Sequence, residues 1–330
     1  MKPDIQRKIF ACFDGNSKAA SLEGLALELL SRQKNTWRNL SESYSALDNV
    51  SVRDLHCDGY SIKLQLNHGR ILSSAANLDL KFIEKRSCFL CVEHLPEEQS
   101  AILYGNEFLI LCNPAPIFPQ HYTIASVRHE PQFIEGSLAA MFALAKDFGA
   151  RFHVIYNGPC CGASAPDHLH FQAFLAGELP IENDIRDERK RILVKSHKGV
   201  FLYKMEGVGR AVLLLEGNDW RQVEAYLSRI INAIKRSLNV SDEPMMNLLC
   251  TFHEDIWHVM LFPRRKHRPD VYFRTDAEKM LISPGAIDMA GLVITPLEKN
   301  FTRLDVSLIK EIFREVSSDE GMVAGIIEGL

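Results

Sequence analysis

A chain of 330 residues is long enough for one large or two ordinary domains, and 46% hydrophobic with 24% charged residues is the balance of a globular protein. A formal charge of -4 argues against a general nucleic-acid binder, no apolar run reaches bilayer length, and Met1-Lys2-Pro3-Asp4-Ile5 lacks a signal-peptide core. Eight cysteines without a disulfide rhythm, Cys160 and Cys161 adjacent, fit a reducing cytoplasm, so we expect a cytoplasmic protein with no membrane or nucleic-acid partner.

Leu22, Leu25, Leu29, Trp37, Leu40, Tyr44 and Leu47 recur at helical spacing, which predicts one or two amphipathic helices ending near Asp48-Asn49. Residues 59–67 alternate as a half-buried strand. Arg70 follows in a turn, either solvated or within reach of a phosphate. Next comes Cys88-Phe89-Leu90-Cys91. Two thiolates at this spacing can face one ion and make half a zinc site; a redox pair or buried thiols are the alternatives. Residues 101–104 and 107–112 flank Gly105-Asn106 as a hairpin. Asn113-Pro114-Ala115-Pro116 then makes a loop, where asparagine before proline is an ordinary turn residue. A strand over 121–125, a helix over 137–148 stopped by Gly149, and a strand over 151–156 lead to residues 157–174.

That stretch organises the chain. His168, His170 and Gln172 alternate with Leu169, Phe171 and Ala173, which puts the polar side chains on one face of a strand. Asn157-Gly158-Pro159 and Gly162-Ala163-Ser164 form a loop of small residues able to bring backbone N–H groups to an anion. Two histidines beside a turn can be ordinary surface residues. Joined to this loop and the trailing amide, they suit phosphate chemistry, with a neutral imidazole attacking phosphorus.

Beyond it, the charged run within 176–191 reads as a boundary between two halves. Hairpins over 200–205 with 210–215, and over 246–253 with 256–262, bracket a helix at 219–238. The basic stretch from Phe262 to Arg268 follows a strand directly, either as a receiver of phosphate or as a solvated loop.

Gly162-Ala163-Ser164 followed by His168-x-His170-x-Gln172 resembles the histidine-triad superfamily, in its branch with Gln in place of the third histidine. That branch holds galactose-1-phosphate uridylyltransferases, diadenosine tetraphosphate (Ap4A) phosphorylases and GDP-hexose phosphorylases, and His168-Leu169-His170-Phe171-Gln172-Ala173 looks most like the last group. The resemblance is strong over 84–175 and general elsewhere. It implies an α+β fold of antiparallel sheets with helices packed on one face, in two related halves. Residues 1–180 would be the nucleotidyltransferase half with a helical N-terminal segment, and 181–330 a degenerate repeat.

By the same resemblance, a nucleoside diphosphate sugar gives up its nucleotide to His170, forming a covalent nucleotidyl-histidine, and phosphate or a sugar phosphate collects it. An Ap4A phosphorylase or a hexose-1-phosphate uridylyltransferase is the alternative, and a non-catalytic nucleotide-binding module is the alternative of another class. Gln172 and Ser164 would hold phosphoryl oxygens, Asn113 the base or ribose, and Asn157 and Gly162 the nucleotide. A structural zinc would take Cys88, Cys91, His129 and His168, with His121 the rival to His129; His94 fits no family position.

Overall fold

Residues 3–15, 20–75, 80–83 and 85–330 of this computed structural model are described; Met1 and Lys2 of the N-terminal stretch lie outside them. The strands in the first half are β1 (Ile9–Phe13), β2 (Ser51–His56), β3 (Ser61–Leu66), β4 (Ala101–Tyr104), β5 (Phe108–Cys112), β6 (His121–Ser126), β7 (Phe152–Asn157) and β8 (His170–Leu175). Then come β9 (Arg191–His197), β10 (Val200–Met205), β11 (Leu213–Gly217), β12 (Met246–His253), β13 (Ile256–Pro263) and β14 (Leu292–Thr295).

One 11-stranded sheet runs in the order β1-β4-β5-β6-β8-β7-β12-β13-β11-β10-β9. Its ladders are antiparallel except for β1 beside β4. Two runs are visible in that order, β4-β5-β6-β8-β7 and β9-β10-β11-β13-β12, and the β7–β12 ladder joins them. Each run places a helix after its third strand, Leu138–Phe148 in the first and Trp220–Leu238 in the second. The runs differ in one connection. β12 turns into β13 through Glu254 and Asp255, both at positive φ (50° and 59°), the tight hairpin geometry. β7 reaches β8 only through the longer loop 158–169.

Strand alternation sorts the side chains onto two faces. Phe152, Val154, Tyr156, Phe171 and Ala173 join a core with Leu22, Leu29, Phe142 and Ile230, so the helices cover that face as expected. Full burial of each large side chain there contributes roughly 1.5–3 kcal/mol. Ile155, Phe174, Leu249, Met260 and Phe262 face the other way, against β3, β14 and the helix Val306–Val316. The small sheet β14-β3-β2 thus lays a second layer over the site face.

The helical expectation over 21–47 resolves into Leu22–Thr36 and Arg38–Ser45 with a 3-10 turn at Ala46–Asn49, and Ser21 caps the first by accepting from the Gly24 N–H at 3.0 Å. The charged run within 176–191 leads directly into β9, an edge strand, where charged side chains disfavour further pairing. All eight cysteines are free. Among the described residues no helix is long and apolar enough to cross a membrane.

Candidate active site

The ladder of β8 begins at His170, and His168 sits just before it, its N–H on the Ala165 carbonyl. His170 Nδ1 lies 2.8 Å from the His168 carbonyl, which can only accept, so Nδ1 carries the proton and the Nε2 lone pair stays free. Burial pulls its pKa down to about 4. Gln132 clamps the same residue: Oε1 accepts from the His170 N–H at 2.7 Å, and Nε2 donates to the carbonyls of His170 and Asn157. No pattern in the sequence marks Gln132, because its partners are 38 and 25 positions away.

Two strands apart in sequence but adjacent in the sheet, β6 and β8 bring His121 to Gln172. The Ile117 N–H donates to His121 Nδ1 at 3.1 Å, so the ring proton is on Nε2 and donates to Gln172 Oε1 at 2.8 Å. Burial, with Arg70 nearby, drives the His121 pKa down to about 3 and keeps the ring neutral. With Oε1 occupied, the Gln172 –NH2 group is the end left to face a ligand.

One group of possible metal ligands is Cys88, Cys91, His129 and His168, whose donor atoms all lie within 4.8 Å of one another, and a second, Cys91, Glu93 and His94, shares Cys91 with it. His168 Nε2 donates to the Ser126 carbonyl at 2.8 Å, turning Nδ1 toward Cys88 Sγ at 3.3 Å and Cys91 Sγ at 3.6 Å. His129 Nδ1 is 3.2 Å from Cys91 Sγ. Ordinary zinc–sulfur and zinc–nitrogen bonds in a tetrahedron set sulfur and nitrogen about 3.6 Å apart, so the four groups fit one ion. The rival His121 is at the far end of β6 and is engaged with Gln172, outside this cluster. His94 Nδ1 donates instead to the Cys88 carbonyl.

Two cavities meet at the loop 158–169. The larger, about 440 Å³, is lined by Phe89, Leu95, Leu111, Asn113 and His170. A smaller, polar one contains Asn157, Gly162, Ser283 and Arg268. Arg70, Ser164 and Gln172 line both. Arg70 is therefore not a solvated turn residue: the turn after β3 carries it inward, where its Nη1 donates to the Ala115 carbonyl at 2.8 Å. Asn113 holds its own turn, accepting from the Ala115 N–H and donating to Thr123 Oγ1. Asn157 Oδ1 accepts from Asn247 and from the Ala286 N–H, tying the loop to the second run. Gly162 takes φ +93°, and a Cβ there would stand 2.7 Å from the Gly285 Cα. Only glycine allows the loop and that backbone to approach so closely.

The basic stretch splits into different jobs. Arg264 is fully buried and structural, donating to Asn247 Oδ1 and to the Pro284, Lys266 and His267 carbonyls. Arg268 alone of the stretch lines the smaller cavity. The second run has no equivalent site. Counted from the first ladder pairs, Phe152 with Leu175 and Met246 with Pro263, His258 and Met260 occupy the places of His170 and Gln172. His258 Nδ1 is bonded to Glu216 at 2.9 Å, and a thioether replaces the amide.

A family model described as a domain of unknown function, DUF4922, matches residues 29–175. No curated protein matches the chain. Among solved structures, yeast Ap4A phosphorylase in complex with Ap4A is similar at 17% identity and a TM-score of 0.52, over 86% of this chain and 97% of that one. A second structure of the yeast enzyme is similar at 15% identity and a TM-score of 0.54, with the same coverage of 86% and 97%. The likeness spans both runs of the sheet, and the chain has a histidine-triad-like fold.

Proposed function

We propose that the protein is a nucleotidyltransferase of the phosphorylase type, acting on a nucleoside diphosphate sugar or a dinucleoside polyphosphate through a covalent nucleotidyl-histidine at His170. One observation carries this reading: His170 presents a free Nε2 to a cavity whose rim is formed by the Gln172 amide, Ser164 and Arg70. These are the donors a phosphoryl group in transfer requires. Nε2 forms a bond to the α-phosphorus, the bond from phosphorus to the leaving oxygen breaks, and the leaving phosphate departs with the electron pair. The imidazolium formed keeps its Nδ1–H on the His168 carbonyl, which stabilises the charge.

The yeast structure in complex with Ap4A favours the dinucleotide as a substrate to test beside GDP-hexoses. Asn113 and the apolar wall of the larger cavity would take the base and ribose. Residues 1–180 read as the catalytic half and 181–330 as its degenerate repeat, since His258 is committed to Glu216. Cys88, Cys91, His129 and His168 would hold a zinc ion. Zinc there supplies a structural cross-link that pins the segment two residues before His170. The free thiols suit a reducing cytoplasm, where we expect the protein to act.

The test is incubation with GDP-, UDP- and ADP-sugars and dinucleoside polyphosphates labelled at the α-phosphorus, with phosphate omitted so that an adduct accumulates. Acid-labile label on the wild-type protein and none on a folded His170→Ala variant is the expected result. A wild-type protein that binds these nucleotides and never takes label is a binding module, and the transfer reading is then wrong.

A further inference from the structure

We propose that the smaller cavity is the oxyanion site for the phosphate that leaves or attacks, built jointly by Arg70 from the first half of the chain and Arg268 from the second; this rests on nucleotidyl transfer at His170. The two cavities divide the chemistry. The larger has apolar walls at Phe89, Leu95 and Leu111 and receives His170. The smaller, about 60 Å³, is lined by Ser74, Ser164, Ser283 and the two arginines, and His170 does not line it. Its polar lining suits a phosphoryl group. An in-line displacement needs its incoming and outgoing groups on opposite sides of phosphorus. With phosphorus at the shared wall of Ser164, Gln172 and Arg70, the nucleophile occupies the first cavity and the other phosphate the second.

Charge supports the assignment. Among the described residues, two guanidinium groups and one carboxylate, Asp288, line the cavity, and the Asp288 oxygens accept the N–H groups of Gly285 and Ile294. Both arginines are oriented before any ligand arrives. Arg70 Nη1 is held by the Ala115 carbonyl. Arg268 Nε donates to Ser283 Oγ at 2.8 Å, and its guanidinium lies 4.2 Å from the Tyr272 ring centroid. A planar fork held on an aromatic face suits bidentate recognition of phosphate. Discharge then balances without a proton transfer. An oxygen anion of the bound phosphate bonds to the α-phosphorus, the phosphorus–Nε2 bond breaks, and its electron pair returns to the ring, leaving a nucleoside diphosphate.

Calorimetric titration with inorganic phosphate and, separately, with glucose 1-phosphate tests the site on the full chain without turnover. Wild-type protein should bind inorganic phosphate, and Arg268→Gln and Arg70→Gln should each weaken it about tenfold to a hundredfold. AMP and GMP binding in the larger cavity should change little in Arg268→Gln, which also reports that the variant is folded. Arg268→Lys, which keeps charge but loses the fork, should fall between. Binding of glucose 1-phosphate alone, with the same dependence on Arg268, assigns the cavity to a phosphate monoester. Failure of both probes to bind, or equal binding by both glutamine variants and wild type, overturns the proposal and leaves the labelling of His170 untouched.

Discussion

His121 Nε2 donates to Gln172 Oε1 at 2.8 Å across the β6–β8 ladder, so a fully buried neutral imidazole sets which end of the amide faces the cavity. The histidine that rivalled His129 as a metal ligand therefore serves the proposed phosphoryl site instead. In His121→Ala the amide can rotate and present oxygen to an anion. His170 should then label about tenfold to a hundredfold more slowly, while metal content stays at the wild-type level. In the double variant with Gln172→Ala, the rate should equal that of Gln172→Ala alone, because the histidine acts through the amide. Additive effects would give His121 a separate role.

Gln172→Ala should slow labelling roughly a hundredfold to a thousandfold, the usual cost of one donor to a developing charge. Saturation kinetics decide where the amide acts. A rise in KM with kcat unchanged would place it in ground-state binding.

Purified protein never exposed to a nickel column should carry about one zinc per chain. Cys88→Ser combined with Cys91→Ser should remove it and lower the thermal midpoint, and His129→Ala should weaken it. Full zinc content in the double cysteine variant would put the metal elsewhere.

Gln132→Ala deletes the clamp that satisfies the His170 N–H and two carbonyls in a fully buried place. Leaving such groups unpaired costs about 1–3 kcal/mol each, so urea unfolding should show a loss of roughly 2–5 kcal/mol. A loss below 1 kcal/mol would mean that water replaces the amide.

Glu243, beside the start of the loop 158–169, sets a pH dependence of stability. Burial raises its pKa from 4.5 to about 7, although the Tyr156 hydroxyl and the Ile134 N–H both donate to it. A carboxyl that holds its proton more tightly when folded costs stability as pH rises. The loss begins near the unfolded value and is complete above the folded one. Stability should therefore fall between about pH 4.5 and 7 by more in wild type than in Glu243→Gln, as denaturant midpoints across that range will show. Identical slopes would remove Glu243 as the cause.

The features legible in the sequence alone are local and periodic. Helical spacing located Leu22–Thr36 and Trp220–Leu238, and Gly105-Asn106, both at positive φ, located the β4–β5 turn. Alternation from His168 to Ala173 identified the strand that carries His170 and Gln172, and the spacing of Cys88 and Cys91 brought both thiols into one group of possible metal ligands. The tertiary structure decided whatever depends on partners distant in the chain. His129 was preferred to its rival His121 only through the resemblance; the six residues of β6 separate them, with His121 at its start beside Gln172 and His129 past its end beside Cys91. Arg70 looked like a turn residue and Arg268 one cation among several, until folding set both against the same cavity. Gln132 had no pattern at all, because a hydrogen bond to a residue 38 positions away leaves no periodic trace. Backbone preference and burial act over neighbouring residues and show in the sequence, whereas sheet register and the docking of the two runs arise only when the whole chain packs.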